Sequence, residues 1–334
     1  MKKRSLSIVR ELFSLLTNCF LRVILFTEKA EEELFMKNKK ITGTLLALLV
    51  MALWGSLFPF IKIGYDAFNV DTSSPADILV FAGIRFILCG AVVIALSIIK
   101  KETLVKPKAK SIISISAMGF FGIVLHYAFT YLGLSMADSS KTALLKQLGA
   151  LLYVCFAFLF IKEEKFSFYK IIGAILGFCG IIAINAGGGS LSLSMGDWLI
   201  IFASVSLVVS NIMSKRSVSG NSPFWVMAIS QFSGGIILFL VGIIMGGKIP
   251  NITPWAALVF TYICAASIVA YVLWFFLQKS ADLSNLFIIK FAEPLFAALF
   301  GAVLLGEDIF KIQYLLSFVL ISSGIMLANK KKDK

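Results

Sequence analysis

Long apolar runs recur along nearly the whole chain, and this restricts the fold more than any other feature of the sequence. Stretches of roughly 17–25 residues match what a helix needs to cross a hydrocarbon core about 30 Å thick at about 1.5 Å rise per residue. Ten can be read: residues 41–62, 78–99, 111–133, 140–161, 169–186, 197–213, 224–246, 255–277, 284–305 and 311–328. They lack the two-residue alternation of a membrane β-strand, and lipid offers the backbone no partners of its own, so helices are required. Composition agrees. Of the residues, 59% are hydrophobic and 15% charged, against about 45–50% and 25% in soluble domains. The sequence predicts an all-α integral membrane protein with ten transmembrane helices.

The net charge of +13 would suggest a nucleic-acid partner if it were clustered on one face, but it follows the connections between spans. From Met36 onward, 18 Lys and Arg fall on one set of alternate connections: before residue 41, in 100–110, in 162–170, at Lys215 and Arg216, at Lys279, and in 330–334. The opposite set holds about four, Lys62, Lys141, Lys248 and Lys311. The positive-inside rule then predicts a multi-pass protein of the cytoplasmic membrane with both termini in the cytoplasm, which agrees with an even number of spans. Basic clusters beside the membrane also suit anionic headgroups. The bilayer is an expected partner and nucleic acid is not.

A second feature is internal repetition. When the chain is slid by 144 residues, 137–185 falls on 281–329 without a gap, and identical pairs include Asp138/Asp282, Lys146/Lys290, Glu163/Glu307 and Gly180/Gly324. Tyr127 meets Tyr271 at the same shift, while Gly43 meets Gly196 and Lys62 meets Lys215 at a shift of 153. The break between halves falls at Gly187-Gly188-Gly189-Ser190, read as a linker because the Lys-Ser/Thr ending and preceding strand of a phosphate loop are missing. The expected organisation is an N-terminal extension, 1–35, read as an overlong start; a first repeat, 36–187; and a second, 188–334, ending in a basic cytoplasmic tail. Five spans per repeat is an odd number, so the repeats are expected to be inverted, an arrangement typical of secondary transporters with a site near the midplane.

Buried charge points to the chemistry. A charged side chain at the bilayer centre costs about 2.5–3.5 kcal/mol on insertion scales, so Lys146 and Lys290 together impose about 5–7 kcal/mol before any pairing. Lys146 lies nine residues past Ala137, about 14 Å along a helix, too deep for easy snorkelling. Its helical neighbours are small or hydroxylic, including Thr142, Ala143, Gly149 and Ala150, and leucines cover the other side. Glu293 stands three residues from Lys290, within reach for an ion pair, whereas the equivalent position near Lys146 is Gly149. Lys146, Lys290 and Glu293 are therefore candidate substrate-binding residues. Tyr127, Tyr271, Trp54 and Asn211, with Tyr131 and Trp274, are candidate cavity-lining residues. Arg85 is read as structural, pairing with Asp77 or anchoring a helix end. Pro59 and Pro294 are expected to kink the first and ninth spans.

Other chemistries find little support. His126 is the single histidine, read as a packed, hydrogen-bonded side chain, and the five cysteines have no metal or redox spacing. No cofactor or metal is expected. An intramembrane enzyme would need a nucleophile–histidine pattern, paired aspartates or metal spacing, none of which the sequence displays.

At these residues the chain resembles the drug/metabolite transporter superfamily, in particular the ten-helix proteins built from two inverted five-helix EamA repeats. The resemblance runs from Met36 to Lys330, and is carried by Trp54-Gly55-Ser56 with Phe58 and Lys62, by Arg85, and above all by Glu293-Pro294-Leu295-Phe296-Ala297-Ala298 leading to Leu305-Gly306-Glu307. It implies a permease or exporter of small metabolites and not an enzyme. Lysines in both the fourth and ninth spans depart from many EamA proteins and resemble the buried basic residues of the phosphate-translocator branch, which hold an anion. The expected function is alternating-access transport of an anionic or zwitterionic metabolite such as an amino acid, organic acid or phosphorylated metabolite. Expected partners are that substrate, a proton or counter-substrate, and a second copy of the chain. The alternative within transport is proton-coupled export of neutral or cationic compounds through Glu293.

Overall fold

The computed structural model describes residues 39–99, 106–134, 136, 139–161, 165–184, 193–306 and 312–328. The N-terminal extension and the repeat-paired Glu163 and Glu307 lie outside the described residues. Everything described as regular structure is helical: α1 (Lys39–Phe68), α2 (Pro75–Ile99), α3 (Ala109–Gly119), a π-helical turn (Phe120–Leu125), α4 (His126–Leu134), α5 (Ser139–Phe160), α6 (Phe168–Ile184), α7 (Met195–Gly220), α8 (Pro223–Ile244), α9 (Pro254–Ser280), α10 (Leu283–Ile289), a 3₁₀ turn (Lys290–Ala292), α11 (Glu293–Leu305) and α12 (Ile312–Ala328). Among the described residues, seven helical spans are long and apolar enough to cross a membrane, and three shorter apolar helices accompany them: Leu145–Phe156, Phe168–Ala183 and Leu315–Ala328. Large apolar side chains face outward, among them Ile99, Phe160, Ile244 and Leu315, which suits a surface solvated by lipid.

Local chemistry sets where the helices begin and end. Ser194 caps α7 in a reciprocal box: its hydroxyl accepts from the Asp197 amide at 3.2 Å, and the Asp197 carboxylate accepts from the Ser194 amide at 2.7 Å. Thr253 caps α9 by accepting from the Ala256 amide at 3.1 Å, ahead of Pro254, whose missing N–H costs nothing at a first-turn position. Gly306 ends α11 with φ of 73°, a left-handed conformation that a Cβ would strain. Several helices outrun the apolar stretches read from sequence. α1 reaches Phe68 and α7 reaches Gly220, because the helix continues into polar sequence where packing and caps still satisfy its backbone.

Glycines bring the helices together. α2 lies against α8, and a Cβ on Gly83 would fall 2.5 Å from the Phe239 amide nitrogen, while one on Gly235 would fall 2.6 Å from that of Ile87. α6 and α12 meet through Gly173 and Gly324, each of whose Cβ positions lies within 2.6 Å of the other's carbonyl oxygen. Small residues let backbones approach closely where lipid supplies no hydrophobic drive for helices to associate. The stripe formed by Gly173 and Gly177 is a packing surface, with Gly177 seating the ring of Phe291.

The helix pairing is reciprocal. α1 packs on α9 and α11, while α7 packs on the α3–α4 span and on α5. Exchanging the helices of α1–α6 for those of α7–α12 in chain order converts one set of contacts into the other and maps the α2–α8 and α6–α12 pairs onto themselves.

Two spans are interrupted. The third widens into the π turn between Gly119 and His126, with Gly122 pressed to 2.3 Å between its Cβ position and the Ser210 hydroxyl, and with Ser210 donating to the Met118 carbonyl at 3.0 Å. The ninth tightens into the 3₁₀ turn at Lys290–Ala292, followed by Pro294 in the first turn of α11. Pro294 therefore marks a break, as its missing donor requires. Pro59 lies inside α1, which remains continuous.

Candidate functional site

The interrupted ninth span delivers its charges to the centre of the bundle. In the 3₁₀ turn successive side chains diverge: Phe291 is fully buried against Gly177 of α6, while Lys290 points toward α1. The Lys290 ammonium sits 5.2 Å from the centre of the Trp54 ring and 5.9 Å from that of Phe287. Glu293 opens α11 one turn away, yet the expected ion pair does not close, and no contact within 4 Å joins the two charges. The Lys290 side chain is instead turned onto the rings of Trp54 and Phe287, which keeps its ammonium out of contact with the carboxylate. Glu293 remains its nearest opposite charge.

Lys146 reaches the same region from α5. Its ammonium lies 5.5 Å from the centre of the Phe58 ring, and it is close enough to Lys290 for each to feel the other's charge. Gly149 fits α5 against Ser204 of α7, whose hydroxyl donates to the carbonyls of Leu145 at 3.0 Å and Lys146 at 3.3 Å. Ala150 and Tyr153 are buried on the same face, and Tyr153 stacks on Phe287 at 4.1 Å. The leucines expected to face lipid are half-buried at Leu145, Leu148, Leu151 and Leu152; the open surface of α5 lies farther along, at Leu159 and Phe160. Both lysines rest on aromatic faces, which stabilises a partly desolvated cation by about 0.5–2 kcal/mol and leaves most of the insertion cost uncompensated.

Trp54 is the hub of this centre. Its ring contacts Tyr271 at 5.4 Å and Trp274 at 5.2 Å, edge-on or tilted in both cases. The motif around it divides the work. Gly55 lets α1 press onto α11, its Cβ position 2.6 Å from that of Phe296, while the Ser56 hydroxyl accepts from Tyr262 at 2.9 Å and donates to the Leu53 carbonyl at 2.7 Å. The Trp54 indole N–H is buried with no hydrogen-bond partner, an uncommon state that requires an explanation.

Tyr127 and Tyr271 approach each other across the bundle, as their register in the sequence anticipates. Tyr127 also meets Phe86 at 4.9 Å and Tyr131 at 5.9 Å. Beside them lies Arg85, the residue that sequence reasoning assigns to structure. Asp77 is not its partner, because that carboxylate accepts instead from the Lys248 amide at 2.9 Å. The Arg85 guanidinium is buried, stacked 4.2 Å over Phe86, and donates to the Tyr127 hydroxyl at 3.4 Å. Its depth in the span is the one sequence signal that groups it with the lysines.

Asn211 and Trp274 are differently occupied. The Asn211 side-chain oxygen accepts from Gln278 at 3.0 Å and from Trp274 at 3.4 Å, and its amide donates to the Leu207 carbonyl at 2.7 Å. Ser214 bonds to the Gln278 side-chain oxygen, and Lys215 donates to the carbonyls of Gln278 at 2.6 Å and Ala281 at 3.1 Å. This network locks α7 to the end of α9 on one side of the charged centre. Replacing Gln278 with Leu should lower stability by about 1–3 kcal/mol, since it strips partners from buried groups, seen as an earlier thermal transition of the purified protein. His126 is packed as expected, its Nδ1 3.0 Å from the Ala203 carbonyl, so that nitrogen carries the proton and donates. Cys89 lies 3.7 Å from the Cys264 carbonyl, a packing contact. No cluster of three or more metal-ligating side chains occurs among the described residues.

Among the described residues the centre therefore gathers three cations, Arg85, Lys146 and Lys290, and one acid, Glu293, among rings and tyrosine hydroxyls. It is rich in donors and poor in acceptors.

The model of the EamA-like transporter family matches twice, over residues 41–186 and 194–330. An uncharacterized transporter of Archaeoglobus fulgidus is 27% identical over 273 residues, covering 79% of this chain and 89% of its own. The uncharacterized transporter YvbV of Bacillus subtilis is 26% identical over 296 residues, covering 87% and 92%, and the uncharacterized inner membrane transporter YedA of Escherichia coli K12 is 25% identical over 292 residues, covering 85% and 89%. A solved crystal structure shares the fold, with a TM-score of 0.70 at 20% identity over 86% of this chain and 98% of the other. With family matches over most of its length and apolar helices of spanning length, this chain is a multi-pass membrane protein belonging to the EamA-like transporter family of the drug/metabolite transporter superfamily.

Proposed function

We propose that this protein is a secondary transporter that moves a small anionic or zwitterionic metabolite across the cytoplasmic membrane, binding it between two inverted five-span repeats. The observation that carries this reading is that Lys146 and Lys290, at repeat-related positions, rest on Phe58 and Trp54, one turn apart on α1, with Glu293 the acid beside Lys290. Cations held in a low-dielectric interior need an opposite charge, and a substrate carboxylate or phosphate supplies it. The unpaired Trp54 N–H adds a neutral donor. The double family match and the reciprocal helix pairing support two repeats, and the charge asymmetry of the connections supports ten spans with both termini in the cytoplasm. Alternating access then follows as one repeat rocks against the other around the central site. No step of bond chemistry is required of any residue there.

The test is flux in proteoliposomes carrying the purified protein, offered a panel of amino acids, organic acids, phosphorylated metabolites and organic cations. Saturable movement of acidic or zwitterionic compounds is the expected result, and movement of cations alone would defeat the proposal.

Glu293 supports a second reading, proton-coupled export, because it opens α11 free of any ion pair within 4 Å. On that reading a pH gradient drives flux in the wild type and fails to do so in Glu293→Gln, while Lys146→Gln has no effect. On the first reading, Glu293→Gln retains saturable uptake, with at most a tenfold change in half-saturation.

A further inference from the structure

Arg85 is the least compensated charge among the described residues of the bundle interior. Its exposure is 3%, and among the described residues no carboxylate lies within 4 Å of it. Its Nε–H has no hydrogen-bond partner, and its one side-chain bond is a long one to the Tyr127 hydroxyl. Stacking on Phe86 leaves the edge of the guanidinium, where all five N–H donors lie, for hydrogen bonding. The groups around it are tyrosines, namely Tyr127, Tyr131 and Tyr271. All three are half-buried, Tyr271 near the middle of α9 and Tyr127 and Tyr131 on α4.

The charge count at the centre is uneven. Lys290 has Glu293 as its nearest opposite charge, but neither Lys146 nor Arg85 has a carboxylate within 4 Å among the described residues. Two cations thus stand without an adjoining carboxylate among the described residues, Lys146 on α5 and Arg85 on α2. A ligand with one acidic group satisfies one and leaves the other bare.

We propose that Arg85 is a second anion-recognition residue, which receives one acidic group of a substrate that carries two, so that small dicarboxylates are preferred over monocarboxylates. The proposal rests on the central anion site inferred above. A planar guanidinium offers paired, parallel N–H donors that match the two oxygens of a carboxylate, and the Nε–H and one terminal N–H form such a pair. The Tyr127 hydroxyl accepts from Arg85 and keeps its own proton to donate to the same group. Lys146 takes the other carboxylate. Tyr127, hydrogen-bonded to Arg85 and beside Tyr271, marks the guanidinium end of the site.

The experiment is thermal unfolding of the purified protein titrated with succinate and, separately, with butyrate, since a ligand that binds the folded state raises the transition. Wild type is expected to respond to succinate at a concentration about tenfold below that needed for butyrate. In Arg85→Gln the half-effective succinate concentration should rise by roughly 10- to 100-fold, the scale of a lost bidentate charged contact, while the butyrate response stays the same. Arg85→Lys keeps the charge but not the paired donors, so it should fold and still lose about tenfold for succinate. An Arg85→Gln protein whose succinate response is unchanged, or whose responses to both acids fall equally, overturns the proposal. If Lys146→Gln abolishes both responses and neither Arg85 variant alters the preference, the central anion site stands and the role of Arg85 falls. If wild type responds to neither acid, both fall.

Discussion

Replacing Lys146 or Lys290 with glutamine should reduce transport of an acidic substrate by roughly 10- to 150-fold in proteoliposomes, with protein that still inserts and folds. The magnitude follows from the setting. A charged hydrogen bond to a substrate anion is worth about 1.5–3 kcal/mol, and it weighs more where water does not compete. The two variants should not behave alike. Removing Lys290 leaves Glu293 with no cation beside it and the Trp54 ring without the ammonium it faces, so Lys290→Gln is expected to lose both transport and some stability. Lys146 has no local acid to leave stranded, so Lys146→Gln should lose transport with a thermal transition near that of wild type. Uptake assays paired with unfolding curves check both parts. Unchanged transport of an acidic substrate in both variants would remove the lysines from the site.

The second large effect is on the fold. Gly83→Leu should destabilise the protein by about 3 kcal/mol or more, because overpacking a close contact already costs about 1–3 kcal/mol and here the obstacle is backbone. A Cβ at Gly83 would lie 2.5 Å from the Phe239 nitrogen and 2.7 Å from its Cα, and neither atom can move without shifting α8. Gly43→Ala is the control. Nothing lies within 4 Å of a Cβ placed there, so the substitution should be neutral or stabilising by up to about 1 kcal/mol through helix propensity. Thermal unfolding in detergent compares the two, and equal transitions would mean that the α2–α8 contact is not tight in the folded protein.

Much of this architecture is legible in the amino-acid sequence. Apolar runs of spanning length announce the helices, and the 144-residue register pairs Lys146 with Lys290 and Tyr127 with Tyr271, both of which meet or influence each other at the centre. Pro294 announces the break in the ninth span. The departures share one cause, which is that helical spacing predicts which side chains share a face but not what stands opposite. Helical spacing offers Glu293 to Lys290, but the ammonium turns to the rings of Trp54 on α1 and Phe287 instead. Proximity in sequence offers Asp77 to Arg85, but the Lys248 amide claims that carboxylate from far along the chain. Asn211 reads as cavity-lining, yet Gln278 and Trp274 occupy its oxygen.

Read one residue after another, the chain specifies the solvent in which it folds, the helices that solvent demands, and the presence of costly charges at repeat-related positions. Those follow from length, hydropathy and register, which are local properties. Three-dimensional packing settles the rest: that Arg85 joins the lysines, that Glu293 stands apart from Lys290, and that Trp54 is the ring on which the second lysine rests. Each of these depends on close approach between helices distant in sequence, set by glycines such as Gly55 and Gly83 whose effect is to let a neighbour come near. A residue without a side chain does not name the neighbour it admits.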